Sequence, residues 1–167
     1  MYETERLMIR PFSVEDDAEF LLELYNMPDF IKYIGDRKIR TVEDAQNYIK
    51  SKFLPQISRL GFGNCVVLLK ENSEKIGGVG IFEREGLDVA DIGFSVLKKY
   101  EGQGFMFEAA QKLMSVVHED FGLNKISAIT TKDNFSSQKL IEKLGLKYQK
   151  MVTIPGDTEE LMYFETE

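Results

Sequence analysis

The sequence contains no tryptophan, one cysteine (Cys65), one histidine (His118) and four prolines in 167 residues. A single cysteine excludes an internal disulfide and a cysteine-based zinc site. One histidine gives no basis for a dedicated metal centre, so no metal is expected. No run approaches the ~18 apolar residues of a membrane-spanning helix, and no membrane partner is expected. The opening Met1-Tyr2-Glu3-Thr4-Glu5-Arg6 lacks the basic-then-apolar layout of a secretory leader, which sets the expectation of a cytoplasmic protein. Positive charge is also in deficit: 21 Lys and Arg stand against 28 Asp and Glu, a net charge of −7. Phosphate-backbone binding needs a basic face, so nucleic acid is not the expected partner. An acidic surface suits a cationic partner, and it also suits solubility alone. No repeat, linker or low-complexity stretch interrupts residues 1–167, so one domain is expected across the whole chain.

What is present is a sequence of alternating patterns. Leu7 and Ile9 alternate with Met8 and Arg10 in a first strand over Arg6 to Phe12, which Pro11 limits. Ser13-Val14-Glu15-Asp16 reads as a capping box with the acid three residues on. It opens a helix marked by Ala18, Leu21, Leu22 and Tyr25 that should stop before Pro28. Thr41-Val42-Glu43-Asp44 opens a second helix through Ala45, Ile49 and Phe53, ending near Pro55. Between them, Phe30 to Arg40 reads as irregular: a plain connection or the rim of a substrate mouth.

Three β-rich runs follow, Phe62 to Leu69, Ile76 to Glu83 and Leu87 to Leu97, with turns at Glu71 to Lys75 and at Gly86. They form an antiparallel meander. After a glycine loop, Met106, Ala110, Leu113, Met114, Val117 and Phe121 repeat at helical spacing, and Gly122 supplies a C-cap. Lys125 to Thr131 is a strand, and Asn134 to Leu144 a helix closed by Gly145. Leu146 to Ile154 and Glu159 to Phe164 form a hairpin around Pro155-Gly156-Asp157. The order predicts an α/β layered fold with a mixed sheet.

The loop Tyr100-Glu101-Gly102-Gln103-Gly104-Phe105 joins a strand to an amphipathic helix. Glycines there allow a tight turn and close approach of a ligand. The helix start adds unpaired N–H groups and the positive end of a dipole. This pattern fits an anion site for a phosphate or pyrophosphate, and it also fits a turn that needs glycine for geometry alone. A nucleotide P-loop would require Lys and Ser or Thr after the glycines, where Phe105-Met106-Phe107 stands. A dinucleotide fingerprint would require a third glycine and a parallel sheet.

Asp91 to Leu97, running into Tyr100 through Ala109, resembles the central motif of GNAT acetyltransferases. The resemblance is nearest to the ribosomal-protein N-terminal acetyltransferases (RimJ/RimL-like). Asn134-Phe135-Ser136-Ser137 and Glu142-Lys143-Leu144-Gly145-Leu146 resemble that branch's second motif, and Thr4 to Pro11 its opening. Glu101 and Met106 depart from the loop pattern, Gln/Arg first and Gly/Ala last. Leu146 replaces the usual Phe. A carboxylate at 101 suits a diphosphate only if it points away or pairs with Lys98 or Lys99.

The resemblance implies a central, mostly antiparallel mixed sheet of about seven strands with about four helices. It implies acetyl-coenzyme A as cosubstrate and a primary amine as acceptor, in a monomer or homodimer. Glu101, Gly102, Gln103, Gly104, Phe105 and Met106 would hold the pyrophosphate, and Phe94, Ser95 and Val96 the pantetheine arm. Val96 N–H would polarise the thioester carbonyl. Asn134 and Lys139 would bind the cosubstrate. Ser137 would face the sulfur, and Asp91 would accept the amine proton directly or through water, with Glu83 as second candidate. The position of the usual acid tyrosine falls on Ile141, with Tyr148 and Tyr163 as possible substitutes. A domain that binds an acyl-CoA without turnover is the alternative.

Overall fold

A computed structural model describes residues 1–167. Strands β1 (Tyr2–Glu3) and β2 (Leu7–Pro11) precede helices α1 (Val14–Tyr25), α2 (Pro28–Tyr33), α3 (Val42–Tyr48) and α4 (Leu54–Leu60). Strands β3 (Asn64–Leu69), β4 (Lys75–Phe82) and β5 (Asp91–Val96) lead to α5 (Phe105–Phe121). Then come β6 (Ser127–Thr130), α6 (Phe135–Lys143), β7 (Lys147–Val152) and β8 (Leu161–Glu165). The strands form one sheet in the order β1-β2-β3-β4-β5-β6-β8-β7, and β5–β6 is its only parallel pair.

Period-2 alternation sends successive strand residues to opposite faces. On β3, Cys65, Val67 and Leu69 face a core closed by α5 through Ala109, Ala110, Leu113 and Val117. Val66 and Leu68 face the other way, onto Leu21, Leu24, Ala45 and Ile49 of the α1–α3 layer. The sheet is therefore the shared wall of two apolar cores.

The expected α/β class holds, with eight strands because Tyr2–Glu3 pairs onto β2. Four expectations change. The second helix does not end near Pro55; the chain passes through a π turn over Ile49–Phe53 and continues as α4. Proline is tolerated there because it occupies a first-turn position, where its missing N–H would have no partner. The segment from Phe30 is not irregular throughout, because Pro28 starts the short helix α2. The third meander strand begins at Asp91, with Glu83 to Ala90 as a loop. At the α1 cap, Ser13 accepts from Asp16 N–H, but the carboxylate that reaches back to Ser13 N–H is Asp17, at 2.7 Å. Asp17 is fully buried and also binds Arg10 (2.7 and 3.0 Å) and Lys75 (2.8 Å), which fixes α1 to β2 and β4. Burial raises its carboxyl, but those partners outweigh burial and hold it below the ordinary range.

Candidate active site

The site begins where two parallel strands part. Asp91 lies opposite Ser127, and Ser127 N–H donates to Ala90 O at 2.9 Å. Beyond that point β5 and β6 no longer pair, while β5 stays registered on β4 from Gly77↔Val96 to Phe82↔Asp91. Leu97 N–H donates to Ile76 O at 2.8 Å, on the β4 side. Peptide groups alternate along a strand, so those of Ser95 also point to β4. Those of Phe94 and Val96 point toward β6, where no strand meets them. Two N–H and two C=O groups thus open onto a cleft of about 580 Å³ lined by Phe94, Ser95 and Val96.

The glycine loop closes one end of the same cleft. Gly102 (φ 74°) and Gly104 (φ 81°) are both in the left-handed region that favours glycine. A Cβ on Gly102 would meet nothing within 4 Å, and one on Gly104 only Arg6 Nη2, at 3.5 Å. Packing does not explain these glycines, and the open space beside them is where a ligand would approach. Gly104 is the N-cap of α5 with no side-chain cap, so the first-turn N–H groups remain available to an anion.

Arg6 braces the outside of this loop, a role the sequence did not disclose. Its Nη1 donates to Gln103 O at 3.0 Å and its Nε to Glu108 Oε1 at 2.8 Å, and its guanidinium lies 4.3 Å from the Phe105 ring centroid. Because the peptide is planar and trans, fixing Gln103 C=O on Arg6 turns Gly104 N–H to the opposite side. Burial raises the Glu108 carboxyl, but Thr4 and Arg6 outweigh it and keep it low. The Gln103 side chain is taken by Lys99 O at 3.1 Å, and Gln103 does not line the cleft. Glu101 does line it, unpaired: Lys99 binds Glu74 instead, at 2.8 Å, and Lys98 makes no ion pair.

The opposite wall is the start of α6. Asn134 caps the helix, its Oδ1 accepting from Ser137 N–H at 3.3 Å. Asn134 and Ser137 both line the cleft, with the Asn134 amide nitrogen and the Ser137 hydroxyl unbonded within the protein. Lys139 is exposed and off the cleft; the cation that lines it is Lys143, one turn on, with Nζ 4.1 Å from the Phe107 ring centroid. The third wall, Met27, Asp29, Phe30, Tyr33 and Ile34, comes from α2 and its flanks; Phe30, Tyr33 and Ile34 fall in the Phe30 to Arg40 segment read from sequence as a connection or a substrate rim, and Met27 and Asp29 precede it.

Asp91 stands apart from this assembly. It is 1% exposed, does not line the cleft, and gives both oxygens to Arg84, at 3.0 and 3.2 Å. Burial pushes its carboxyl up and Arg84 only partly offsets this. Asp91 does not touch the cleft and both its oxygens bind Arg84, so direct proton transfer from an amine there has no short path, and the expected role as base would run through water. Glu83 is paired with Arg59 at 2.7 Å and lines a separate hollow at the far end of the strands. Ile141 is 1% exposed in the core. Tyr148 lies on the edge strand β7, and Tyr163 is buried on β8, donating to Glu165 at 2.8 Å. Burial and that carboxylate push Tyr163 up to about 12. Neither tyrosine reaches the cleft; Tyr33 and Tyr100 do. Burial pushes the Cys65 thiol up to about 12, which leaves it an inert core group. His118 is an exposed residue in the last turn of α5.

Comparison with known proteins bears on this geometry. The family profile described as an acetyltransferase (GNAT) domain matches residues 6–147. The chain is 30% identical over 152 residues to the uncharacterized N-acetyltransferase p20 of Bacillus licheniformis, covering 89% of this chain and 83% of that protein. Among solved structures, a GNAT-family acetyltransferase from Bacillus anthracis superposes with a TM-score of 0.78 at 27% identity, covering 98% and 95% of the two chains. A ribosomal-protein-S5-alanine acetyltransferase from Vibrio fischeri shares the fold, with a TM-score of 0.81 at 19% identity over 99% and 94%. So does a spermidine N-acetyltransferase from Vibrio cholerae solved with CoA and spermine, with a TM-score of 0.78 at 16% identity over 97% and 95%.

Proposed function

Because the chain belongs to the GNAT acetyltransferase family, we propose that it moves the acetyl group of acetyl-CoA directly onto a primary amine. The observation that carries this reading is the unpaired edge of β5. Free peptide groups at Phe94 and Val96 open onto the same cleft as an uncapped, glycine-led helix start.

The pyrophosphate would sit on the N–H groups from Gly102 to Met106, with Lys143 as the nearby cation. The pantetheine amides would pair with the peptide groups of Phe94 and Val96 as an added strand would, and the Asn134 amide would bind the arm from α6. In the reaction the neutral amine nitrogen forms a bond to the acetyl carbon, and the C–S bond breaks. The amine gives up one proton, and the leaving sulfur takes one. Val96 N–H would donate to the oxyanion as it develops, and the Ser137 hydroxyl would hand a proton or a water to the sulfur. A free α-amine, pKa about 7.7–8.0, loses its proton far more readily than a lysine amine at about 10.4. Water serves as the base in this reading, because Asp91 and Glu83 are both committed to arginines.

The Thr4 to Pro11 opening and the Asn134 to Leu146 motif favour the ribosomal-protein acetyltransferase branch within the family, and the folds of that class superpose on this one. A second reading, a CoA-binding domain without turnover, is favoured by Ile141 buried where the acid tyrosine is expected. An acceptor screen decides between them, with acetyl-CoA, free-thiol detection and mass analysis of the amines. Transfer predicts a singly acetylated amine together with equimolar CoA. Bound acetyl-CoA with no acetylated amine establishes the second reading.

A further inference from the structure

The cleft carries information about its acceptor, and this inference rests on the acetyl-transfer reading above. We propose that Asp29 docks the acceptor's ammonium, and that the acceptor is a primary amine on an aromatic-sized apolar body with no carboxylate beside the nitrogen. Three observations support this.

The first is position. α2 faces the free edge of β5 across the cleft, and Asp29 and Tyr33 are one helical turn apart, so their side chains share the face that lines it. The second is the state of the carboxylate. Asp29 makes no ion pair within 4.0 Å. Lys32, on the same helix, holds its ammonium over the Tyr33 ring, 4.7 Å from the centroid, and stays outside the lining. Asp29 is thus a carboxylate without an ion pair at the entrance, beside Tyr33, whose ring carries the Lys32 ammonium. The third is the rest of the wall: Met27, Phe30 and Ile34 are apolar. Phe30 is fixed by stacking on Tyr25 at 4.1 Å, so this surface is preformed.

The wall holds no cation. The cleft's only lysine, Lys143, is on α6 beside the phosphate loop. A carboxylate next to the amine would face Asp29, a like charge, and the one cation of α2, Lys32, lies over Tyr33 outside the lining. A polyamine would find one carboxylate on this wall, and the cleft's other unpaired one, Glu101, lies at the phosphate loop. An arylalkyl amine satisfies both features, and so does the N-terminal residue of a peptide with an aromatic first side chain, since its carboxyl is an amide.

The test measures kcat and KM with 2-phenylethylamine, phenylalanine, phenylalanine amide and spermidine, on the wild-type chain, Asp29→Asn and Asp29→Glu. Acetyl-CoA affinity is measured separately by calorimetry. Expected is a kcat/KM for 2-phenylethylamine at least about ten-fold above that for phenylalanine, a difference of about 1.4 kcal/mol. Asp29→Asn should raise the amine KM about ten-fold with acetyl-CoA affinity unchanged, and Asp29→Glu should recover part of it. Efficient phenylalanine amide would assign the site to peptide N-termini, and its failure beside active 2-phenylethylamine to small amines; both support the docking role. Preference for phenylalanine or spermidine, or an unchanged KM in folded Asp29→Asn, overturns this proposal and leaves acetyl transfer standing. Tight acetyl-CoA binding with no acetylated amine overturns both.

Discussion

Replacing Arg6 with alanine isolates how much the cosubstrate loop depends on support from outside it. The substitution removes the 3.0 Å bond to Gln103 O, the 2.8 Å bond to Glu108 and the stacking on Phe105. A buried charge-assisted hydrogen bond contributes about 1.5–3 kcal/mol. The Arg6 side chain is 43% exposed, however, and exposed ion pairs are screened to about 1 kcal/mol or less. About 1 kcal/mol is therefore the share that orders the Gln103–Gly104 peptide, and its loss weakens acetyl-CoA binding about five-fold. Arg6→Lys keeps the charge but cannot span both acceptors with a planar fork, so it should fall between the two. Calorimetric titration with CoA measures the effect. At ~1 M salt, where the screening length is ~3 Å, the gap should narrow. Unchanged affinity in a folded Arg6→Ala chain would show that the loop is set by its glycines alone and that the brace is incidental.

Other perturbations probe separate joints. Asp17→Asn should cost about 2–3 kcal/mol near neutral pH, below the usual cost for a fully buried pair because Arg10 and Lys75 are 23% and 26% exposed and can rehydrate. The native carboxyl is held low, so its contribution is present above its unfolded pKa of about 3.9 and is lost as pH falls through the folded value. Urea midpoints of the two chains should therefore converge below about pH 4. Gly104→Ala should cost about 1–2 kcal/mol from the left-handed backbone without a clash, read by thermal unfolding, and it should weaken CoA binding. Asp91→Asn should lower stability while kcat per folded molecule is retained; a fall in kcat with the fold intact would return Asp91 to the role of base.

Local chemistry was legible in the sequence, and long-range partnership was not. Thr41 with Asp44 forms the capping box its spacing announces, and Gly104, Gly122 and Gly145 sit at helix ends with positive φ. Pro55 misled because the same residue stops a helix interior and suits a first turn, and only the π turn before it decides which applies. Charge partners defeated sequence reasoning most often. Arg84 claims Asp91 from seven residues away, Glu74 takes Lys99 from Glu101, and Arg6 reaches Glu108 across the fold. Within α6, one turn separates Lys139 on the surface from Lys143 in the cleft, a distinction of helix phase that a motif does not carry. The parting of β5 from β6, on which the site depends, is a relation between strands and has no signature in either one.

That parting is also where a single measurement bears hardest. Amide exchange by NMR, with and without acetyl-CoA, reads the Phe94 and Val96 N–H groups directly. They should exchange fast in the free chain and slow markedly when acetyl-CoA is added, together with Gly102 to Phe105. Protection of Phe94 and Val96 already present without ligand, or ligand-induced protection confined to the Glu83 to Ala90 loop, would contradict the placement of the cosubstrate on this edge.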